Sequence, residues 1–232
     1  MATLDRETPT CEGCGSSVRL RAIIQILSLE LFGRSLSISE FPESRDIVGL
    51  GISDWEVYAE GLARKFNYTN TYYHQEPKMD LHVIDPDLEG KMDFVIATDV
   101  FEHIAPPISI AFENVRRLLK PDGVLIFSVP YSNEGETTVE HFAQLHDYEV
   151  LEREGNHILR NVTEDGVEQI FDQLVFHGGI GSTLEMRVFS ESSLLREFNQ
   201  AGFGRIKIYK QPDFDHGICW QLDWSLPLSA RI

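Results

Sequence analysis

The chain has 232 residues, of which 42% are hydrophobic and 10% aromatic, and this composition excludes a disordered protein. Its formal net charge of -17 disfavours nucleic acid as a partner, because no basic run offsets the repulsion from phosphates. It has no apolar run of the roughly 20 residues that span a membrane, no signal-peptide pattern and only three cysteines, so we expect a cytoplasmic protein without a membrane partner.

The N-terminal segment begins with a cysteine pair, Cys11 and Cys14, in the C-x-x-C-G spacing of a zinc knuckle. A structural zinc needs four ligands, and the remaining cysteine, Cys219, is far along the chain beside His216. A mixed zinc site with these two residues stays open. We prefer a metal-free remnant, and we assign no metal ligand from the sequence.

A helix follows the cysteine pair, with Ser16-Ser17 as its cap, Phe32 near its end and Gly33 as its stop. One face carries the apolar stripe. The helix either covers the mouth of an active site or simply packs on a sheet, and we assign residues 1–40 to an N-terminal CxxC segment and covering helix.

The next pattern is a strand, a glycine turn and a helix. The run from Asp46 to Trp55 contains the strand and the glycine turn, and it leads into a helix from about Glu56 to Phe66. Gly49 and Gly51 let the backbone approach a ligand, and the helix start offers free N–H groups. Two alternatives are a plain strand-to-helix turn and, for Asp54, a helix cap rather than a ligand contact. The next strand is Tyr68–Tyr73.

The stretch 91–131 contains the strongest pattern in the chain. Phe94–Ala97 and Val124–Val129 are short apolar runs that read as buried strands, and an amphipathic helix lies between them after Pro106-Pro107. This is the βαβ unit of a parallel sheet. Ligands bind at the carboxyl ends of such strands, where the chain places Asp99, Val100, Phe101, Glu102, His103 and, after the second strand, Tyr131.

The carboxyl third is predicted to select the substrate. Residues 131–148 read as a loop rich in proton-carrying side chains, which include Tyr131, His141 and His146. A solvated surface loop would have a similar composition. A hairpin over 149–163, a strand at Leu184–Phe189, a helix to Ala201 and a last strand at Gly204–Tyr209 follow.

Two of these segments resemble a known family. FVIATDVFEHI and NVRRLLKPDGVLIFSVP are similar to the strand end and the following R-x-L-K-P-G-G segment of class I S-adenosylmethionine (SAM) dependent methyltransferases. The resemblance implies an α/β fold for residues 41–232, with a Rossmann-like, mostly parallel sheet, an antiparallel last strand, helices on both faces and a substrate-side insertion at about 131–183. The glycine motif departs from the family, since Gly49 replaces its acid, and Ser53 and Trp55 replace its second and third glycines.

The resemblance also implies SAM as the cofactor. Tyr72, Tyr73, His74 or Glu76 would substitute for the usual ribose-binding acid, Asp80 and Leu81 would flank the adenine, and His103 either contacts the cofactor or only bonds to loop backbone. The cofactor-binding residues predicted in this way are Gly49, Gly51, Tyr72, Tyr73, Asp80, Leu81, Asp99, Val100, Phe101 and His103.

The predicted function is methyl transfer to an oxygen or nitrogen of a small-molecule acceptor. We assign His141 or His146 as the base and Tyr131 as the residue that orients the acceptor. A catalytically silent SAM-fold binding or assembly protein is the main alternative. A dinucleotide-linked oxidoreductase fits less well, because Asp54 stands where its third glycine belongs. A homodimer stays open.

Overall fold

A computed structural model describes residues 6–153, 155–178 and 183–232. Positions 154 and 179–182 of the predicted insertion lie outside the described residues. The helices are α1 (Val18–Phe32), α2 (Glu56–Lys65), α3 (Ser109–Leu118) and α4 (Glu191–Gln200). The strands are β1 (Ser44–Ile52), β2 (Phe66–Thr71), β3 (Met92–Thr98), β4 (Leu119–Ser128), β5 (Tyr131–Ser132), β6 (Val139–Glu140), β7 (Asp147–Arg153), β8 (Asn156–Val162), β9 (Glu168–Phe171), β10 (Phe176–His177), β11 (Thr183–Leu184), β12 (Arg187–Ser190), β13 (Arg205–Ile208) and β14 (Leu228–Arg231).

A six-stranded sheet in the order β13-β14-β4-β3-β1-β2 forms the centre of the protein. Strands β2, β1, β3 and β4 pair in parallel, and β14 is antiparallel to both of its neighbours. The predicted Rossmann-like sheet with an antiparallel last strand is therefore confirmed. The segment that we predicted as the last strand is β13. The true last strand, β14, was not predicted, because its four residues are too few to show a hydrophobic periodicity.

Both faces of the sheet are buried. Phe94 and Ile96 of β3 pack in one core cluster with apolar residues of α1 and α2, whereas Val95 and Ala97 pack on the opposite face with residues of α3 and α4. Alternate side chains of a strand point to opposite faces. The continuous apolar runs in β3 and β4 thus reflect helices on both sides, as predicted.

The ends of α1 follow the predicted capping pattern. The Ser17 hydroxyl accepts a hydrogen bond from the Leu20 N–H at 3.3 Å, and Gly33 closes the helix with a left-handed φ of 69°. The buried residues of α1 join the core beneath it. Packing on the sheet is therefore one role of this helix.

Two element boundaries differ from the prediction. The second strand is Phe66–Thr71 rather than Tyr68–Tyr73, because α2 passes directly into the strand at Phe66, whose side chain is buried, while Tyr73 is exposed. The predicted break at Lys120–Gly123 lies within β4. These residues fall at a shift in the pairing register between β3 and β4, so the strand continues past them.

The predicted insertion contains short strands. β5 and β6 flank β12, and β7, β8 and β9 form an antiparallel sheet of their own, which includes the predicted hairpin. Residues 131–148 are therefore not a simple loop. In the described part of the chain, no helix combines the length and apolar character needed to cross a membrane.

Gly49 is required by packing. A Cβ at this position would fall within the ring of Phe94. We therefore expect Gly49→Ala to lower the free energy of unfolding by about 1–3 kcal/mol, as measured by urea denaturation. Gly204→Ala is the control, because its Cβ would meet its nearest neighbour only at 3.8 Å; equal effects of the two substitutions would contradict this explanation.

Candidate active site

The ends of β1 and β3 lie side by side. Gly51 of β1 pairs with Ile96 of β3, and the next pair, Ile52 with Ala97, lies two residues before Asp99. The predicted site residues Gly51 and Asp99 therefore share the carboxyl edge of the sheet. Asp99 has a left-handed φ of 53°, and its carboxylate accepts a hydrogen bond from the Ser128 hydroxyl at 3.0 Å.

Two arginines from the N-terminal segment lie over Asp99. Arg19 Nε is 3.2 Å from Asp99 Oδ2 and 2.7 Å from Glu7 Oε1, and Arg6 Nη2 is 3.4 Å from Asp99 Oδ1. Burial alone would lower the pKa of Arg19, but Asp99 and Glu7 raise it overall. Arg19 Nη1 is buried and has no hydrogen-bond partner among the described residues. The segment before α1, through Arg6, and the first turn of α1, through Arg19, thus cover this edge, and no local sequence pattern indicates either arginine.

The turn between β1 and α2, which we call the glycine corner, is closed by side chains of α2 and β2 that bond to Asp54. Tyr58 donates to Asp54 Oδ1 at 2.7 Å, Tyr68 donates to Oδ2, and Asn70 Oδ1 accepts from the Asp54 N–H at 3.0 Å. A Cβ on Gly51 would collide with the Tyr68 hydroxyl. Asp54 is therefore not the helix cap that we considered; the cap position belongs to Trp55, whose side chain makes no capping bond.

Asp54 should make stability depend on pH. Burial, only partly offset by the two tyrosine hydrogen bonds, raises its pKa from 3.8 to about 7. Since the folded pKa exceeds the unfolded value, protonated Asp54 stabilises the fold fully below about pH 4, and this stabilisation is lost as the pH rises through 7. Relative to Asp54→Asn, the wild type should lose on the order of 4 kcal/mol over this range. Urea denaturation at several pH values measures the difference, and parallel pH profiles would contradict the assignment.

The residues predicted at the ribose and adenine lie in a turn-rich connection. The Tyr72 hydroxyl accepts from Asn70 Nδ2 at 3.0 Å, Tyr73 is exposed, and Asp80 accepts from the His82 N–H at 2.9 Å as in a simple turn. Leu81 is buried. A cavity of about 560 Å³ runs beside β1 and β2, and its lining includes Gly49 and Met79.

The side chain of Phe101 cannot line a cofactor. It is fully buried, with its ring centroid 4.8 Å from that of Phe112 and 5.0 Å from that of Phe127. The prediction is therefore wrong for this side chain, because the short helix after β3 turns it into the core. Val100 is partly buried against the same core, and the backbone of both residues remains a predicted cofactor contact.

Glu102 and His103 follow in the same turn. Glu102 is 0% exposed, and neither carboxylate oxygen has a hydrogen-bond partner among the described residues. Burial, followed by the charges of Asp99 and Glu185, raises its pKa well above the usual value. His103 Nδ1 lies 2.9 Å from the Leu184 carbonyl, which only accepts, so Nδ1 carries the proton and Nε2 has a free lone pair. Burial lowers the pKa of His103.

Glu185 contacts two further histidines, one of which packs against His103. Its Oε1 is 2.8 Å from His141 Nε2 and its Oε2 is 2.9 Å from His177 Nε2, and the rings of His177 and His103 are 4.8 Å apart. We name Glu102, His103, His141, His177 and Glu185 the histidine–glutamate cluster. The structure thus brings His103 and His141 together, while Glu102, His177 and Glu185 had been assigned no role.

The hydrogen bonds of the other two predicted catalytic residues, as far as the structure describes them, go to residues outside this cluster. His146 is exposed, and its N–H donates to the Asn161 side chain beside the β7–β9 sheet. Tyr131 is 2% exposed, and its backbone is held by Ser225. Burial raises the pKa of Tyr131 to about 12. Its role in orienting an acceptor remains a prediction.

A buried arginine fixes the turn that carries Glu102 and His103. Arg187 is 0% exposed, and its Nη1 donates to the carbonyls of Phe101 at 2.9 Å and Ile104 at 2.6 Å. Its Nε donates to Glu140 at 2.7 Å. An arginine in an apolar strand far along the chain gives no sequence signal for this contact.

The cysteine pair lies in the segment before α1. Cys14 and His216 line a second cavity, of about 260 Å³, next to the start of α2. The His216 ring is 2.9 Å from Asp213 and also contacts Ser35. The three cysteines are free thiols, and hydrogen bonds from the Cys14 backbone and side chain lower the pKa of Cys11 to about 7.

A family model described as a methyltransferase domain matches residues 13–207. A search of curated proteins finds no match. Solved structures give fold-level similarity at low identity. A 1,6-didemethyltoxoflavin-N1-methyltransferase from Burkholderia thailandensis is 16% identical, with 92% of this chain and 77% of that chain covered and a TM-score of 0.51. The sugar N-methyltransferase KedS8 from Streptoalloteichus is 14% identical, with 94% and 90% covered and a TM-score of 0.51.

Proposed function

Because the chain belongs to the methyltransferase-domain family, which uses S-adenosylmethionine, we propose that it methylates an oxygen or nitrogen atom of a small-molecule acceptor. One observation carries this proposal. The turn that follows Asp99, at the covered strand edge, contacts the segment that carries Glu185: the Met186 N–H donates to the Glu102 carbonyl at 2.7 Å, and His103 Nδ1 donates to the Leu184 carbonyl at 2.9 Å. A cofactor-binding edge and a proton-accepting cluster are therefore direct neighbours.

The strand edge has groups that suit the amino-acid end of the cofactor. Arg19 Nη1 is a buried donor without a described partner, which suits a carboxylate, and the Asp99 carboxylate suits an ammonium group. At the glycine corner, by contrast, the Ser53 and Asp54 N–H groups already donate to Thr71 and Asn70. We therefore assign Arg19 and Asp99 as the main polar contacts.

The histidine–glutamate cluster is suited to accept the acceptor's proton. S-Adenosylmethionine supplies a methyl group that is already electrophilic, so the protein has to position the acceptor, exclude water and remove a proton. His141 is 26% exposed at its side chain and is held by Glu185. It can therefore be reached by an acceptor, and we assign it as the base.

The net charge of the chain and the names of the similar structures both support a small-molecule acceptor. The net charge of -17 disfavours nucleic acid. The similar structures include an enzyme named for 1,6-didemethyltoxoflavin and one named as a sugar N-methyltransferase. These names support, for this chain, a small polar acceptor.

The test combines calorimetry with a screen of acceptors using labelled S-adenosylmethionine. We expect S-adenosylhomocysteine to bind, and His141→Ala to lower turnover about 10²–10⁴-fold while leaving that binding unchanged. His146→Ala is the control, because this exposed histidine lies away from the cluster. Absence of cofactor binding would favour a silent binding protein, and equal turnover of the two variants would remove His141 as the base.

A further inference from the structure

We propose that the cavity beside β1 and β2 binds a second small molecule, one with an apolar body and a phosphate or carboxylate group. The cavity has a volume of about 560 Å³, which lies within the range of about 300–1,000 Å³ that is usual for small-molecule sites. The proposed function assigns no role to this cavity, and neither Arg19 nor Asp99 lines it. The ligand is therefore distinct from the cofactor.

The cavity lies where the sheet lacks a helical cover. On one face, α3 and α4 pack over β3 and β4. The same face of β1 and β2 is covered by residues 72–91, all of which are described and which contain no α-helix. The cavity reaches Met92 and Lys120, near the amino-terminal ends of β3 and β4, whereas Asp99 follows the opposite end of β3.

The lining of the cavity has the opposite charge to the chain as a whole. The chain has 37 acidic and 20 basic residues, yet three of its six lysines line the cavity, and no aspartate or glutamate among the described residues does. These lysines are Lys78, Lys91 and Lys120. Lys120 pairs with Asp93 at 2.7 Å, but the other two make no ion pair in the part of the chain that the structure describes. The cavity is therefore a local positive region that attracts an anion.

The remaining lining residues suit an amphipathic ligand. Asn67, Thr69 and Thr71 alternate along β2 and line the cavity together, because residues two apart in a strand point to the same face. The Thr71 hydroxyl already donates to the Gly51 carbonyl at 2.8 Å, whereas Asn67 and Thr69 are exposed. The apolar side chains of the lining include Val48, Leu50, Met79, Leu88 and Met92. These side chains suit the body of the ligand, and the lysines suit its anionic group.

The positions of the lysines favour phosphate over carboxylate. Lys91 and Lys120 each lie one residue from the paired residues Met92 and Leu119, so they come from neighbouring positions on β3 and β4. Lys78 lies at the other end of the cavity, in a bridge with the residue that follows β2. Lysine binds phosphate as a point charge. Two lysines at one end therefore suit a doubly charged phosphate better than a singly charged carboxylate.

The test is calorimetric titration of the purified protein with decyl phosphate, decanoate and decanol, each below its aggregation concentration. We expect decyl phosphate to bind tighter than decanoate, and decanol to bind at least about 10-fold more weakly than either. Lys91→Glu and Lys78→Glu should each weaken decyl phosphate binding about 10-fold or more, since each places a like charge beside the anion. Lys210→Glu is the control, because it makes the same charge change at an exposed lysine outside the lining.

A second variant tests the space rather than the charge. Thr69 is exposed on β2, so Thr69→Phe should leave the protein folded, which thermal melting checks, while its ring fills the cavity. We expect this variant to lose the binding of both decyl phosphate and decanoate. Unchanged binding in Thr69→Phe, equal affinities of Lys91→Glu and Lys210→Glu, or binding of decanol as tight as that of decyl phosphate would each overturn the proposal. Lysine-dependent binding of decanoate alone would support a carboxylate ligand.

Titration of the same samples with S-adenosylhomocysteine separates this site from the proposed function. We expect Lys91→Glu and Thr69→Phe to bind S-adenosylhomocysteine as the wild type does. Displacement of decyl phosphate by S-adenosylhomocysteine would overturn the proposal of a second ligand. A protein that binds decyl phosphate through these lysines but does not bind S-adenosylhomocysteine would support the anion site and overturn the proposed function.

Discussion

Replacing Arg187 with alanine is expected to lower the free energy of unfolding by about 3–5 kcal/mol. The guanidinium is 0% exposed and serves three acceptors: the carbonyls of Phe101 and Ile104, and the carboxylate of Glu140. Its loss would remove the donor of the Ile104 carbonyl, would leave the Phe101 carbonyl only the longer bond from the Ile104 N–H at 3.4 Å, and would release the turn that carries Glu102 and His103. Chemical denaturation followed by circular dichroism measures the loss.

Arg160 provides a matched control for this experiment. It pairs with two carboxylates, those of Glu149 and Glu168, but on the exposed β7–β9 sheet. Exposed ion pairs contribute about 0–1 kcal/mol, so Arg160→Ala should change stability by no more than that. If the two arginine variants were equally stable, Arg187 would not be the residue that fixes the turn.

The second large effect is expected at Arg19. Removing its guanidinium should weaken the binding of S-adenosylhomocysteine by about 2–4 kcal/mol, which is roughly 30- to 1,000-fold. Two causes act together: the substitution deletes the buried donor Nη1, and it leaves Asp99 without its 3.2 Å partner. Isothermal titration calorimetry measures the change.

Arg21 in the same helix is the control for Arg19. It contacts the backbone of Ser16 and Gly217 rather than the strand edge. Arg21→Ala should therefore leave the affinity for S-adenosylhomocysteine within about threefold of the wild type, since 1.4 kcal/mol corresponds to a factor of ten. An Arg19→Ala protein that stays folded and binds as tightly as Arg21→Ala would exclude the cofactor from this edge.

The sequence was sufficient for the parts of the fold that depend on local patterns. The caps of α1 at Ser17 and Gly33, and the two apolar runs of β3 and β4, follow from residue types a few positions apart. The strand β14 could not be found in this way. It is recognisable only through its pairing with β4 and β13, which are distant in the sequence.

The candidate site was predictable only where it lies at the end of a strand. Asp99 and His103 come directly after an apolar run, so their place at the sheet edge follows from the pattern. Arg19, His177 and Glu185 reach the same place through tertiary contacts across long sequence separations. Phe101 shows the opposite error, because position after a strand cannot tell which side chains of a turn point into the core.

A crystal structure with S-adenosylhomocysteine tests the central claim most directly. We predict that the ligand's carboxylate lies beside Arg19, its amino group beside Asp99, and its sulfur toward the histidine–glutamate cluster. Density for the ligand in the cavity beside β1 and β2 alone, with Arg19 still bound only to Asp99 and Glu7, would contradict the proposed arrangement of cofactor and acceptor.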